Sequence, residues 1–526
     1  MTEAKVLGEP PVEVIRFEDL IADPDAVAGR LADFFETQQT HSAVDESHNT
    51  SRQSGPKRKL TNAEVWICER IAGAEMTAAG CDLRSVKPKL SDIPEIAKVT
   101  RDFFSFSSAA RFETPRRASR FALSAKTWLA TKLDRRPPTA EQLWGEGHFD
   151  VSVFHALTFD AERAHLDSLL EWVQTKAEHG YNAITWSTEL GGLGLSRAHA
   201  RAFGRLERQF VTPGIHESVS VTRTLVAPTV DVYGTDEQKQ RWIPPFISGD
   251  VLCCQLFSEP GAGSDLAGLG TTAVRDGDEW IVNGQKVWSS GAQFSQFGEL
   301  IARSDPDAVK HKGMTAFIIP MDLPGIEVRP IPQMSGGSSF CEVFFSDVRV
   351  ADNMRLGEEG NGWKVALTTL GFERDHSEGE GGLASGGTWS KVLATARAMG
   401  VADDPLIRDS LASLYIHGRV ESLTNRRAAD LAKSGTPGPE GSLGKLLWTE
   451  GMYLMTEVVS TILGPRLVAD TGAWGTFAWG EHVLGAPGYR IAGGSDEIQR
   501  NIIGERVLGL PREPKADTGP WKHILR

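Results

Sequence analysis

The fold is decided by the stretch LFSEPGAGSDLAG, Leu256 to Gly268, and by NGQKVWSSG, Asn283 to Gly291, which follows it along the chain. Glycine has no Cβ, so the glycines of the first stretch allow the backbone to approach a bulky ligand closely. In the second stretch Trp288 precedes two serines and a glycine, where an indole can stack on a flat ring or fill the core. Taken alone, the first stretch is weak evidence for a cofactor, and core filling is the simpler interpretation of Trp288.

Hydrophobic periodicity changes on both sides of these stretches and predicts three structured regions. Residues 118–249 have helical periodicity. Residues 250–355 contain β-rich runs separated by turn signals, which predict a β-domain, and Asn283-Gly284 is typical of a two-residue hairpin turn. Helical periodicity returns over residues 356–512, and residues 513–526 form a tail.

Length and composition describe an ordinary globular protein. The chain has 526 residues, which suggests several domains at roughly 150 residues each. Hydrophobic residues make up 40% and charged residues 24%, as is typical of this class. The formal net charge of −13 argues against a nucleic-acid partner, because such a partner requires a clustered basic surface.

No segment predicts a membrane span, a secretion signal or a metal site. No run of ~18 apolar residues is present, and the N-terminal MTEAKVLGEPPVEV lacks a basic region followed by an apolar core. The five cysteines show neither metal-ligand spacing nor a disulfide framework. We therefore expect reduced, mostly buried thiols, no bound metal and a cytoplasmic location.

Four motifs in collinear order resemble those of the acyl-CoA dehydrogenases. They are Trp186 with Gly191-Gly192-Leu193-Gly194, Ser258-Glu259-Pro260-Gly261-Ala262-Gly263-Ser264-Asp265, Asn283-Gly284-Gln285-Lys286-Val287-Trp288, and Glu497-Ile498-Gln499-Arg500. The resemblance runs from about residue 118 to 512. It implies an α+β multidomain fold with an N-terminal helical domain, a middle β-domain and a C-terminal four-helix bundle, preceded by an extra appendage.

The resemblance implies FAD as the cofactor, bound between the β-domain and the C-terminal helices. A cofactor is needed because no side chain can accept the hydride that the family removes from its substrate. The matching positions fall into a flavin-ring group, a second cofactor group and a substrate group. The first is Phe257, Ser258, Trp288 and Ser290, the second is Ser495, Glu497 and Arg408, and the third is Ser264, Arg374 and Gly493.

Around Arg408 the sequence departs from the family pattern. The family uses an Arg-x-x-Phe-Gly helix and a later Gln to bind FAD across a subunit interface, whereas this region reads RDSLASLYIHGRVESLTN. The Phe-Gly pair and the Gln are not evident, so the resemblance leaves the cross-subunit part of FAD binding open.

The position of the catalytic base also differs between branches of the family. In the medium- and short-chain enzymes a Glu precedes the C-terminal Gly-Thr-Ser-type turn, but that position here is Gly493. A second branch, which includes isovaleryl-CoA and long-chain enzymes, places a Glu-Arg pair on an earlier helix, and Glu373-Arg374 occupies that place. A base is needed because an α-proton beside a thioester is very weakly acidic. We therefore expect Glu373 to be the base, while Gly493 keeps the backbone N–H that polarises the thioester carbonyl.

The implied reaction is α,β-dehydrogenation of an acyl-CoA to the trans-2-enoyl-CoA, with Glu373 taking the α-proton and flavin N5 the β-hydride. The resemblance also implies an electron-transfer flavoprotein as acceptor, a homodimer or homotetramer, and a role in fatty acid and lipid metabolism. Two alternatives stay open: a flavin oxidase or monooxygenase of the same fold, and a non-catalytic subunit of a hetero-oligomeric dehydrogenase. The sequence does not indicate the acyl chain.

The start of the chain resembles a different family. Residues 12–83 contain Arg16-Phe17-Glu18-Asp19-Leu20, Asp23-Pro24 and Leu60-Thr61, which resemble the C-terminal end of a bacterial sulfotransferase. No Gly-rich phosphate loop precedes them, so sulfotransferase activity is not expected. We interpret residues 1–83 as an appendage, either a fused remnant or a partner-docking segment, and residues 84–117 as a linker.

Overall fold

The computed structural model describes residues 113–136, 151–373, 386–432, 439–469, 478–512, 514 and 519–523. The chain divides into two compact units, Met1–Arg117 and Ala118–Arg526. The sulfotransferase-like segment 12–83, most of the predicted linker, and Arg374 lie outside the described residues.

The N-terminal part of the second unit is helical, as the periodicity predicts. The helices in this part of the chain are α1 (Glu113–Lys132), α2 (Phe159–Ala177), α3 (Arg197–Glu207), α4 (Glu217–Ser220), α5 (Ala227–Tyr233) and α6 (Asp236–Ser248). Helix α2 begins where the Thr158 side chain accepts a hydrogen bond from the Ala161 N–H. Helix α6 begins at a capping box, in which Thr235 and Gln238 each bond the other's backbone N–H. A π-helical turn, Val221–Val226, joins α4 to α5.

An eight-stranded sheet follows these helices. Its strands are β1 (Cys253–Leu256), β2 (Thr272–Asp276), β3 (Glu279–Ser290), β4 (Phe297–Arg303), β5 (Met314–Pro320), β6 (Ile326–Ile331), β7 (Phe340–Ala351) and β8 (Arg355–Leu356). The strand order is β6-β7-β3-β2-β4-β5-β8, and β1 pairs in parallel with β4. Strands β3 and β7 are antiparallel, with Ser290 opposite Phe340. This register brings the end of β3, which carries Trp288, beside the start of β7.

The predicted hairpin turn at Asn283-Gly284 is wrong. Both residues lie inside β3, and the turn between β2 and β3 contains Gly277 (φ +64°) instead. Gly284 marks a β-bulge with φ +149°, where an added Cβ would lie 2.5 Å from Thr271 Oγ1. Asn283 Oδ1 accepts a hydrogen bond from the Asp347 N–H of β7 (2.8 Å). Contacts within the sheet, rather than local turn propensity, therefore decide the conformation of this pair.

Helices return after the sheet. They are α7 (Gly362–Glu373), α8 (Trp389–Ala398), α9 (Pro405–Ala432), α10 (Gly441–Leu463), α11 (Ala478–Tyr489) and α12 (Asp496–Ile502). Helices α8, α9, α11 and α12 all pack against α10. The core of this bundle includes Val392, Leu411, Val459 and Trp479. No helix among the described residues has the length and hydropathy needed to cross a membrane.

The sheet has an apolar cluster on each face. Along β1 the side chains alternate, so that Cys253 and Phe257 face one cluster while Cys254 and Leu256 face the other. We call the first the helix-side cluster; it also contains apolar residues of α5, α6 and α7. Among the described residues Cys253, Cys254 and Cys341 are free and buried, while Cys68 and Cys81 lie outside the described part of the chain.

Candidate active site

The two stretches that decide the fold meet where β1 and β3 end. The Val287 N–H donates to the Ser258 carbonyl oxygen (2.9 Å), which places Ser258 beside Trp288. Phe257 is buried in the helix-side cluster, while Ser258 and Ser290 are half-buried. The four positions predicted to line a flavin ring thus lie close together, and we call them the sheet corner (Phe257, Ser258, Trp288 and Ser290).

Trp288 has an unusual backbone and an open ring. Its φ of +62° lies in the left-handed region, which costs an L-residue about 1–2 kcal/mol. The residue is 58% exposed, and its ring makes an edge contact with Phe340 at a centroid distance of 6.0 Å. Local strain combined with a large exposed aromatic ring is typical of a ligand-binding position.

Aromatic contacts connect the sheet corner to the C-terminal helices. Phe154 makes an edge contact with Phe340 (centroids 5.4 Å apart) and stacks on Tyr489, the last residue of α11 (5.0 Å). The neighbours Val151 and Val153 belong to apolar clusters of the bundle. Sequence reasoning missed this irregular segment, because it has no periodicity that could reveal it.

The turn after α11 carries Gly493, the position where part of the family has its base. Gly493 (φ +65°) and Gly494 (φ +89°) are both left-handed, and Ser495 caps α12 by accepting a hydrogen bond from the Ile498 N–H (3.4 Å). Within the described residues, the Gly493 N–H has no hydrogen-bond acceptor. A free backbone N–H held in a fixed turn can polarise the carbonyl oxygen of a ligand.

Buried polar contacts hold this turn in place. The Asp496 carboxylate is buried and accepts hydrogen bonds from Arg490 Nε (2.6 Å) and Thr449 Oγ1 (3.1 Å). Lys445 Nζ donates to the Gly494 carbonyl oxygen (2.8 Å). These contacts come from α10 and from the end of α11, so the bundle fixes the position of the turn.

A buried ion pair joins the two stretches. Lys286 Nζ donates to Glu259 Oε1 (2.8 Å) and to the Phe257 carbonyl oxygen (3.0 Å), and the lysine side chain is 0% exposed. Glu259 also accepts the N–H groups of Gly270 (2.6 Å) and Thr271 (2.9 Å). Burial lowers the pKa of Lys286 to about 8. Burial raises the pKa of Glu259, but Lys286 and the hydrogen bonds outweigh it, so that pKa lies below its usual range. Both groups are therefore charged at pH 7.

Ser264 and Glu497 are both exposed. Ser264 lies in the loop after the Glu259–Ala262 bridge. Glu497 lies in the first turn of α12, where hydrogen bonds from its own backbone N–H and from the Ser495 hydroxyl lower its pKa. Both side chains are thus accessible to a ligand.

Arg408 and Glu373 lie on helices. Arg408 is near the start of α9, between Ile407 and Leu411 of the bundle core, so its neighbours place it in the bundle rather than in the sheet corner. Glu373 is the last residue of α7. The preceding Leu370 and Phe372 pack against the helix-side cluster, which contains Phe257 of the sheet corner.

A cluster of His155, Glu162 and His216 was not predicted from the sequence. The Nε2 atoms of the two histidines lie 3.0 and 3.1 Å from Glu162 Oε1, and the three ligand atoms are close enough together to hold a metal ion. However, His216 Nδ1 accepts the Ser218 N–H (3.2 Å), so the proton of neutral His216 sits on Nε2 and points at Glu162. Burial raises the pKa of Glu162, but the two histidines lower it to about 2. We therefore interpret the cluster as a hydrogen-bonded carboxylate; its members follow no motif spacing that could have revealed it.

The sheet corner has the features that a flavin requires. Trp288 offers an indole face for stacking, and the hydroxyls of Ser258 and Ser290 make no hydrogen bond within the described residues. Ser289, which lies between Trp288 and Ser290 on β3, has a buried Oγ with no hydrogen-bond partner among the described residues. A flat heterocycle with a polar edge is bound by this combination of a stacking surface and hydroxyl groups.

Three consecutive regions of the chain match the domains of one family. Residues 147–250 match "Acyl-CoA dehydrogenase, N-terminal domain", residues 254–348 match "Acyl-CoA dehydrogenase, middle domain", and residues 360–508 match "Acyl-CoA dehydrogenase, C-terminal domain". The matches agree with the observed order of helices, sheet and helices.

Curated relatives and solved structures support the same assignment. Acyl-CoA dehydrogenase IpdE1 of Mycobacterium tuberculosis is 36% identical over 402 residues, which cover 75% of this chain and 98% of that protein. The solved Tcur3481-Tcur3483 steroid ACAD is 28% identical with a TM-score of 0.59, covering 76% of this chain and 99% of that chain. The ChsE4-ChsE5 complex from Mycobacterium tuberculosis is 28% identical with a TM-score of 0.56, covering 76% of this chain and 98% of that chain. The chain therefore belongs to the acyl-CoA dehydrogenase family and is an oxidoreductase of that family.

Proposed function

We propose that this chain catalyses FAD-dependent α,β-dehydrogenation of an acyl-CoA thioester to the trans-2-enoyl-CoA. The observation that carries the proposal is the exposed Trp288 ring, flanked by the unbonded hydroxyls of Ser258 and Ser290. FAD, when bound there, supplies the acceptor for the β-hydride. Ser495 and Glu497 are proposed to contact the more distal part of the cofactor, and Arg408 is proposed to act across a subunit interface.

Gly493 is proposed to bind the thioester carbonyl oxygen through its N–H. A hydrogen bond to that oxygen strengthens as enolate charge develops, and it therefore lowers the barrier to removal of the α-proton. The unbonded N–H and the polar contacts that fix the turn support this role. Because glycine has no side chain, the carboxylate that accepts the proton must come from another element.

Glu373 is proposed to be that carboxylate. It ends α7, whose preceding residues pack on the same cluster as Phe257, so the helix end lies on the side of the sheet that Phe257 faces. The role requires a carboxylate whose basicity is raised by desolvation, because burial disfavours the charged form. Arg374 and Ser264 are proposed to contact the CoA part of the substrate, which is larger and polar.

Anaerobic addition of an acyl-CoA tests the proposed function. We expect at least one member of a panel of short, long, branched and steroid-derived acyl-CoAs to bleach the yellow protein, because substrate oxidation reduces the cofactor. A monooxygenase of the same fold requires an external reductant and is not bleached by the thioester. Yellow protein that no acyl-CoA bleaches contradicts the proposal, and protein that takes up no FAD favours the non-catalytic subunit.

The proposed electron acceptor is an electron-transfer flavoprotein, and the proposed assembly is a homodimer or homotetramer. An exposed apolar stripe on α9 supports assembly, since Ile416, Val420 and Leu423 are 60%, 46% and 53% exposed at helical spacing. Each of the two solved structures named above is named for a pair of different proteins, Tcur3481 with Tcur3483 and ChsE4 with ChsE5. Assembly with a related chain is therefore the alternative, and the departures around Arg408 favour it.

Trp288→Ala is expected to weaken FAD binding roughly tenfold, because loss of the stacking surface costs about 1.4 kcal/mol. Trp288→Phe keeps an aromatic face and is the matched control, with a smaller expected loss. Fluorescence titration of apoprotein with FAD measures both affinities. If Trp288→Ala binds FAD as tightly as the wild type, the ring does not stack on the cofactor.

A further inference from the structure

Glu299 is a buried carboxyl group that the proposed reaction does not use. It lies on β4, is 0% exposed, and accepts a hydrogen bond from Thr369 Oγ1 at Oε1 (2.7 Å). Its other oxygen, Oε2, is buried without a hydrogen-bond partner in the described part of the chain. An unpaired buried polar group is unfavourable, so a ligand that pairs with Oε2 removes that cost on binding.

A second unpaired polar group lies beside it. Gln255 of β1 is paired with Glu299 of β4 in parallel register, and Gln255 Nε2 is also buried without a partner. Cys253 on β1, Phe257 directly after β1 and Ile301 on β4 face the helix-side cluster. Because side chains alternate along a strand, Gln255 and Glu299 face that cluster as well. They therefore form a polar pair within an otherwise apolar face.

This polar pair lies next to the proposed reaction centre. Gln255 is two residues from Phe257 on the same strand face, a distance of roughly 7 Å along the strand. Thr369, which bonds Glu299, is four residues before Glu373 on α7. Residues with this spacing lie on the same helix face about one turn, or ~6 Å, apart. An acyl group that extends from Glu373 along this face reaches the polar pair after a few carbon atoms.

We propose that Gln255 and Glu299 bind an oxygen atom of the acyl group, an inference that rests on the proposed function. The substrate would then carry a hydroxyl or oxo group a few carbons beyond the β-carbon. Burial raises the pKa of Glu299 to about 8, which keeps the carboxyl neutral at pH 7. A neutral carboxyl and an amide each offer both a donor and an acceptor, so either kind of oxygen can pair with them. A purely aliphatic acyl group leaves both unpaired, and sites built to bond an oxygen discriminate strongly against such analogues.

The test uses the FAD-loaded full chain and the acyl-CoA of the panel that bleaches it fastest. Calorimetry compares the affinity of this thioester with the affinities of its δ-oxo and δ-hydroxy derivatives. We expect the wild type to bind at least one derivative about tenfold or more tightly than the parent, and the two derivatives distinguish a carbonyl from a hydroxyl ligand. Bleaching rates, measured in parallel, report the reaction separately from binding.

Two variants separate recognition from structure. Glu299→Leu removes the carboxyl, so we expect it to bind parent and derivatives equally within about threefold. Glu299→Gln keeps a donor and an acceptor and is expected to keep the preference. Equal binding in the wild type overturns the proposal, and so does a preference that persists in Glu299→Leu. In that case bleaching by the parent still upholds the dehydrogenation, whereas a panel in which no acyl-CoA bleaches the protein contradicts the proposed function itself.

Thermal unfolding checks that Glu299→Leu is folded. The pKa of Glu299 is raised from its ordinary value of 4.5 to about 8 in the folded chain. Between these pH values the folded chain holds a proton that the unfolded chain has lost, so the stability falls as the pH rises. Among the described residues, the Cys253 thiol is the titratable group beside Glu299. Burial raises the pKa of this thiol well above its usual range, so the thiol stays neutral. We therefore expect Glu299→Leu to match or exceed the wild-type melting temperature, and to lose less stability between pH 5 and pH 8.

Discussion

Glu373→Gln is expected to lower the rate of anaerobic bleaching by acyl-CoA at least ~100-fold, the typical contribution of a general base. The amide has nearly the shape of the carboxylate but cannot accept the α-proton. FAD binding is expected to stay normal, because the residues proposed to hold the cofactor lie in the sheet corner, on α9 and at the start of α12, and none of them is on α7. Stopped-flow absorbance under anaerobic conditions measures the rate, and the visible spectrum of the purified protein measures the FAD content.

The matched control for this variant is Glu359→Gln. Glu359 is an exposed carboxylate just before α7 that pairs with Arg275 on the surface, so the same chemical change there should leave the rate unaltered. Bleaching by Glu373→Gln at the wild-type rate would rule out Glu373 as the base. Loss of FAD in this variant, rather than loss of rate, would show that Glu373 supports the cofactor site instead.

A double variant tests whether the two base positions are interchangeable. Gly493→Glu in the Glu373→Gln background places a carboxylate where part of the family carries its base. The φ of Gly493 is +65°, a conformation that costs a residue with a side chain about 1–2 kcal/mol. We therefore expect only partial recovery of bleaching, together with a lower melting temperature. No recovery at all would indicate that the acyl group approaches position 493 differently from the arrangement proposed here.

The order of helices, sheet and helices was predictable because it depends on periodicity, and periodicity is local. The β-domain prediction was correct, although the predicted turn at Asn283-Gly284 was wrong. Both outcomes are compatible, because β-rich runs indicate strands whether the two residues between them form a hairpin turn or a β-bulge. The glycine and asparagine preferences of a tight turn and of a bulge overlap, because both require unusual backbone angles. Only the neighbouring Thr271 and the Asp347 N–H decide between them.

The candidate site was predictable only where the chemistry sits in a continuous motif. Ser258 and Trp288 lie in such motifs, but their side-by-side position depends on the Val287 hydrogen bond between two strands. Phe154 and Glu299 carry no local signal of a role. Phe154 acquires one from its two ring contacts, and Glu299 from its burial and its missing partner. Tertiary contacts of this kind arise from residues that are far apart in the chain, and no pattern in a single sequence records them.

Lys286→Met is expected to lower the melting temperature strongly and to release FAD. The substitution leaves the buried Glu259 without its cation, and breaking a buried ion pair on one side costs about 3–5 kcal/mol. It also removes the donor to the Phe257 carbonyl oxygen, which links the end of β1 to β3. Differential scanning fluorimetry measures the melting temperature, and the absorbance ratio of flavin to protein measures retained FAD. Lys239→Met is the control, because Lys239 is only half-buried and its pair with the exposed Asp231 is weak and solvent-screened.

The double variant Glu259→Leu, Lys286→Met separates charge from architecture. If the unpaired charge caused the whole effect, removing both partners would restore the melting temperature, since apolar replacements of buried ion pairs are often neutral. Glu259, however, also accepts the N–H groups of Gly270 and Thr271, and these lose their acceptor in the double variant. Each unpaired buried N–H costs about 1–3 kcal/mol, so we expect partial recovery of stability and little recovery of FAD binding. Full recovery of both would mean that the pair does not hold the sheet corner in shape.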